Sequence, residues 1–200
     1  MEAIEIDKID GRRARGLRTR DAIISALLDL VAAGDVAPTA QRVADRAGVS
    51  VRSVYQHFSD VEGLYADATE RTYEWARDTA RDVDISLPAA RRVDTFVEDR
   101  TAILEALLSF HRAVRLMEPA SDRVRESRLA MDKWEKDRVA KIFAQELRAL
   151  ESSRRVAVLA GVDALASADA WDHLRRSGQS ARSARQALRS GILSLLGVAG

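Results

Sequence analysis

The chain has 200 residues, 46% of them hydrophobic and 32% charged, with a formal net charge of +1 and no cysteine. That balance suits an ordinary globular chain with a core and a solvated surface, and it excludes disulfides, thiolate metal sites and a cysteine nucleophile. No apolar run approaches the ~20 residues of a membrane span, and residues 1–16 lack the apolar stretch of a secretory signal, so a cytoplasmic location is expected.

The near-zero charge hides an asymmetry. Residues 1–10 carry four acids against Lys8, whereas residues 11–59 carry eight Arg against four Asp. An anionic partner is therefore sought in the first third, although an excess this small equally fits a solvated surface. Residues 1–16 read as a flexible arm. The basic run RRARGLRTR (12–20) suits phosphates or a minor groove, or else a solvated tail.

Apolar residues recur at three- and four-residue spacing and strand signals are nearly absent, so the chain is expected to be all-α. A first helix is predicted over about 18–33, with Gly34 closing it. A second follows Pro38 over 39–46 with Thr39 as N-cap, and a third over 50–57 with Ser50 as N-cap. The quartet Ser59-Asp60-Val61-Glu62 reads as a capping box opening a fourth helix to about 82. Beyond Pro88, helices are expected over 89–116, 121–150, 152–167 and 181–197, with breaks at 167–169 and 178–180. The domain seam is placed in the fourth helix, giving a small N-terminal bundle over 17–64 and a larger helical domain over 65–200.

Residues 39–57 have the logic of a helix-turn-helix, with Gly48 in the turn and Val43, Val49, Val54 and Phe58 as apolar anchors. The remaining groups suit DNA. Arg52 can fork onto guanine, Gln56 can pair with an adenine edge and Val51 can meet a thymine methyl. Ser53, Tyr55 and His57 suit phosphates, and the helix starts at Thr39 and Ser50 present backbone N–H groups.

The stretch 19–64 resembles the N-terminal domain of TetR-family transcriptional regulators. Thr39, Val43, Ala44, Ala47, Gly48, Val49, Ser50, Ser53, Val54, Tyr55, His57, Phe58, Glu62 and Leu64 all fall on the family pattern. Two positions depart: Arg52 stands where the family has Gly, and Val61 stands where it has Lys. The resemblance implies a DNA-binding regulator with a helical domain that forms a homodimer and often binds a small-molecule inducer. A repressor acting on a palindromic operator is expected. An activator or ligand-independent regulator on the same fold is the alternative, and a helical protein-interaction module a more distant one.

For the dimer face, the apolar stripes of 156–166 and of the last helix nominate Val158, Val162, Leu165, Leu188, Ile192 and Leu195, the alternative being that one stripe seals the core of the single chain. A ligand pocket, if present, is expected to be apolar, drawing on Trp75, Phe96, Phe110, Met131 and Trp134, with His111 and Arg115 as polar anchors. The three histidines lie far apart and no catalytic or metal-binding motif occurs, so no enzyme activity, metal or cofactor is expected.

Overall fold

In the computed structural model the backbone is described for residues 2–199 and side chains for residues 14–199. Among the described residues there are eleven α-helices and no strand. No helix is long and apolar enough to cross a membrane among those residues. The chain divides into two compact units, one comprising 1–72 with 109–127 and the other 73–108 with 128–200. The excursion of 109–127 into the first unit was not anticipated, because sequence order says nothing of which core a later helix joins.

The first unit is built on α1 (Glu2–Ala32), α2 (Ala40–Ala47), α3 (Val51–His57), the start of α4 (Val61–Thr79), most of α6 (Leu108–Met117) and the start of α7 (Asp122–Ile142). α1 begins well before residue 18. Its Ala, Arg and Leu residues are strong helix formers that tolerate Gly16. The expected arm over 1–16 falls largely on residues 1–13, whose side chains lie outside the described residues. α1 stops at Gly34, whose φ of +98° admits no ordinary side chain. The Asp35 N–H reaching Leu30 O at 3.0 Å closes the last turn. Ile23, Leu27 and Val31 then face Val43, Val54, Phe58 and Leu64 in one core, joined by Phe110, Val114 and Val124.

α4 starts one residue later than the capping box implied. Asp60 rather than Ser59 is the cap: its Oδ1 accepts the Gly63 N–H at 2.6 Å, and the Ser59 hydroxyl donates to the same carboxylate. A carboxylate is the stronger acceptor and also faces the positive end of the helix. One turn on, the buried Tyr65 hydroxyl donates to Val36 O at 3.2 Å. Burial, assisted by nearby Asp35, pushes its pKa up from 10.0 to about 12. The neutral phenol is thus favoured by the fold, and the resulting stability is complete below pH 10 and lost as the pH climbs towards 12. Tyr65→Phe should flatten that alkaline loss. Denaturant melts at pH 9 and 11.5 check it: an equal drop in both proteins would remove Tyr65 as the cause.

The second unit contains the end of α4, α5 (Ala89–Ala106), the rest of α7, α8 (Ala144–Arg148), α9 (Ser152–Leu165), α10 (Ala168–Arg176) and α11 (Ala181–Leu196). Two expected long helices are each divided. Leu107 separates α5 from α6 and Phe143 separates α7 from α8, both with ψ near zero. Neither break has a proline or glycine to announce it. Phe143 is fully buried and meets Phe96 edge-on, with ring centroids 5.8 Å apart. Packing therefore decides the break.

The six residues expected at a dimer face need correcting. Val158, Val162, Leu188 and Ile192 are buried within the chain's own core, Ile192 being 0% exposed. Only Leu165 and Leu195 remain partly open. These two close a reciprocal crossing of α9 and α11. A Cβ added at Gly161 would lie 3.0 Å from Leu195, and one at Gly191 would lie 2.8 Å from Leu165. The apolar stripe is the inward face, as amphipathic helices require. The exposed positions of the pair include an uncharged run, Val156, Ala157, Ala160, Ala164, Ala187, Ser190 and Ser194, with exposed Arg154, Arg155, Arg182 and Arg185 elsewhere on the two helices.

Candidate nucleic-acid interface

α2 and α3 hold their geometry through local bonds that the sequence dictates. Thr39 and Ser50 both have extended backbones, and their side chains accept from Arg42 N at 3.3 Å and Ser53 N at 3.1 Å. Gly48 sits at φ +68°, and Val49 N–H reaches back to Ala44 O at 3.0 Å, so α2 ends in a tight left-handed turn. A β-carbon at residue 48 would meet no neighbour, so the demand for glycine is conformational and not steric.

Val54 and Phe58 then pin α3 to the core. The opposite side of α3 presents Arg52, Tyr55 and Gln56 to solvent, with Tyr55 50% exposed, and Val51, Ser53 and His57 are half-buried beside them. All eight residues expected to touch DNA, from Thr39 to His57, thus lie on one contiguous helix pair, and none is buried.

Charge sharpens that surface. Within this unit Arg20 pairs with Asp67, Arg42 with Asp35, Arg46 with Asp29 at 2.8 Å, Arg71 with Asp21 at 3.5 Å and Arg123 with Asp67 at 3.0 Å. Among the described residues Arg15, Arg18 and Arg52 have no such partner. Arg15 and Arg18 flank Gly16 on α1, whose added Cβ would lie 3.9 Å from His57 Cε1. Gly16 of α1 therefore lies beside the end of α3, with the unpaired Arg15 and Arg18 exposed on the same stretch of α1. Val61, in the position of the family's lysine, packs against the apolar core and offers no cation there.

Sequence reading placed Arg20 in the basic run 12–20 and missed its structural role. Its guanidinium lies over the Phe58 ring, 5.1 Å from the centroid, and also binds Asp67 of α4. It ties α1 and α4 to the last residue of the recognition segment. No local signal marks this role, since its carboxylate partner is 47 positions away.

The expected pocket residues are divided between the two units. Phe110 belongs to the core of the first unit, while His111 and Arg115 fall on the same 109–127 segment. In the second unit, Met131 and Trp134 share a small cluster with Ala76 and Ile103, Phe96 is fully buried against Phe143, and Trp75 is largely exposed.

Residues 23–68 match the family model for bacterial regulatory proteins of the tetR family. Among solved structures, a transcriptional regulator from Rhodococcus sp. Rha1 is similar in fold, with a TM-score of 0.67 and 19% identity over 89% of this chain and 96% of that one. No curated protein matches the chain.

Proposed function

We propose that this chain, whose residues 23–68 match the family model for bacterial regulatory proteins of the tetR family, is a regulator that binds a palindromic operator as a homodimer and represses transcription until a small molecule releases it. The observation that carries this reading is the exposed polar face of α3, which includes the unpaired Arg52 and is held by the Ser50 cap. Buried roles are already taken by Val54 and Phe58, so the remaining positions of this short helix face a partner. The chemistry of that face is that of major-groove readout.

Two copies give two recognition helices, which enter successive major grooves when about 34–36 Å apart. The uncharged small-residue run of α9 and α11 supports close helix pairing across a two-fold axis, as in a four-helix interface. A ligand that favours a different spacing lowers DNA affinity by the difference in its affinity for the two states.

Electrophoretic shift with DNA from the protein's own promoter region, followed by random-site selection, tests the reading. Salt-sensitive binding to a site with two-fold symmetry is expected; absence of any such binding would overturn it. Within that assay Arg15→Ala with Arg18→Ala should reduce the salt slope of the homodimer by about 3.6, four contacts being lost at roughly 0.9 each. An unchanged slope removes both from the DNA surface. Arg52→Ala should behave differently. Loss of a bidentate base contact weakens binding by ~1–3 kcal/mol at one base pair and relaxes preference there. Uniform weakening across operator variants would instead place Arg52 on phosphate.

A further inference from the structure

We propose that a cleft of the second unit binds an organic carboxylate with an apolar body. The cleft lies between residues 80–85 and α7 and holds about 470 Å³, within the range of small-molecule sites. Of the residues expected to line a pocket, Trp134 is part of this lining.

One side of the cleft is apolar. Trp134, Val83 and Ile142 line it, and Ile85 stands at its edge 59% exposed, a large apolar side chain that a bound ligand would cover. The other side is cationic, contributed by Arg77, Arg81, Arg138 and Lys141. Two of these four are already engaged. Arg138 binds Asp99 at 2.5 Å and donates to Arg81 O at 2.8 Å, and Arg81 lies 3.7 Å from the same Asp99. Asp137, at the cleft wall, accepts from Lys133 at 2.7 Å. Arg77 and Lys141 have no carboxylate partner among the described residues. Against these two cations only Asp82 remains as an unpaired acid in the lining.

The segment that forms the roof is held before any ligand arrives. Arg81 N–H donates to Asp99 at 3.2 Å, and Ser86 closes a turn on Asp84, its N–H at 2.9 Å and its hydroxyl at 2.7 Å. A half-open apolar wall opposite two unpaired cations, in a preformed cleft, selects an anion that also has hydrocarbon to bury. A neutral ligand of the same shape would leave the cations without a partner, and a small inorganic anion would leave Trp134 and Ile85 uncovered. The binding site stands on this geometry alone. Its role as the effector site rests on the regulator function proposed above.

Isothermal titration of the full chain with naphthalene-2-carboxylate and with its neutral counterpart 2-naphthamide tests the site. The carboxylate should bind at least tenfold more tightly. Arg77→Gln with Lys141→Gln should abolish that preference while leaving amide affinity and the melting temperature unchanged, since neither cation is paired in the fold. Fluorescence quenching by the carboxylate should be lost in Trp134→Phe. Equal affinity for acid and amide, an unaltered preference in the double variant, or no binding of naphthalene-2-carboxylate or decanoate at millimolar concentration would each overturn the proposal. Operator binding is measured separately with and without bound carboxylate. Failure to bind DNA at all would remove the regulator reading and leave the site standing. DNA binding that ignores the bound carboxylate would remove only its role as effector.

Discussion

Glu135→Ala should lower stability by about 3–5 kcal/mol, the effect of stranding one partner of a buried ion pair. Glu135 and Arg100 are both buried in the second unit, with Arg100 Nη1 2.5 Å from Glu135 Oε1. Arg100 Nε also donates to Ala166 O at 2.9 Å, so the guanidinium links α5, α7 and the end of α9. Burial pulls the Arg100 pKa below its ordinary value, and Glu135 is the largest influence opposing that. Without Glu135 the buried guanidinium loses its paired carboxylate, and Asp132 and Asp99 remain as the lesser acidic influences on a charge that is still desolvated. Thermal melting should register the loss as a fall of roughly 6–20 °C, given about 2–4 °C per kcal/mol for a chain of this size.

The contrast with a double replacement is the sharper measurement. Removing both charges, as Arg100→Met with Glu135→Leu, should restore most of the stability, because desolvation of the pair offsets much of its attraction. The pair also has an imperfect neighbour. Glu135 Oε2 and Arg138 Nη1 each lack a hydrogen-bond partner and stand 3.9 Å apart. That leaves part of the network's capacity unused, a further reason why the apolar double should tolerate the change. If Glu135→Ala melts like the parent, the buried pair does not hold α5 to α7.

Phe58→Ala should remove both stability and operator binding. Phe58 is buried against Val54, Ile23 and Leu64, and truncating a core aromatic typically costs about 3–5 kcal/mol. Here a second function is lost with it. Phe58 ends α3, its N–H bonds to Val54 O at 2.9 Å, and its ring carries the Arg20 guanidinium. The cavity would free the end of the recognition helix as well as weaken the core. Phe58→Leu separates the two effects, since it refills much of the volume without a ring face for Arg20. The leucine variant should regain most of the stability and less of the DNA affinity, measured by denaturant melts and by shift assays below the unfolding transition. Equal recovery of both would mean that Arg20 contributes nothing through the ring.

The parts of this protein legible in its sequence are the ones decided within a few residues of themselves. Thr39 and Ser50 cap helices because a short side-chain oxygen reaches an N–H three residues on. Gly34 and Gly48 end helices because only glycine takes positive φ there without strain. Those local rules place the outer face of α3, and with it Arg52, Tyr55 and Gln56, before any tertiary contact is known. At the start of α4 the capping-box rule pointed to Ser59, and the Asp60 carboxylate caps the helix instead.

What only the tertiary structure decided depends on partners far away in the chain. Spacing shows that α9 and α11 each have an apolar stripe, but an apolar stripe seeks any apolar surface, and the chain's own core claimed Val162, Leu188 and Ile192. Much of the outward side fell to alanine and serine, which hydrophobic periodicity passes over. In the same way, nothing near residue 20 foretells Phe58 and Asp67, nothing near residue 100 foretells Glu135, and no proline marks the breaks at Leu107 and Phe143. Charge pairing is equally non-local. The sequence counts eight Arg between 11 and 59, and only the folded positions of the carboxylates leave Arg15, Arg18 and Arg52 unpaired for an anionic partner.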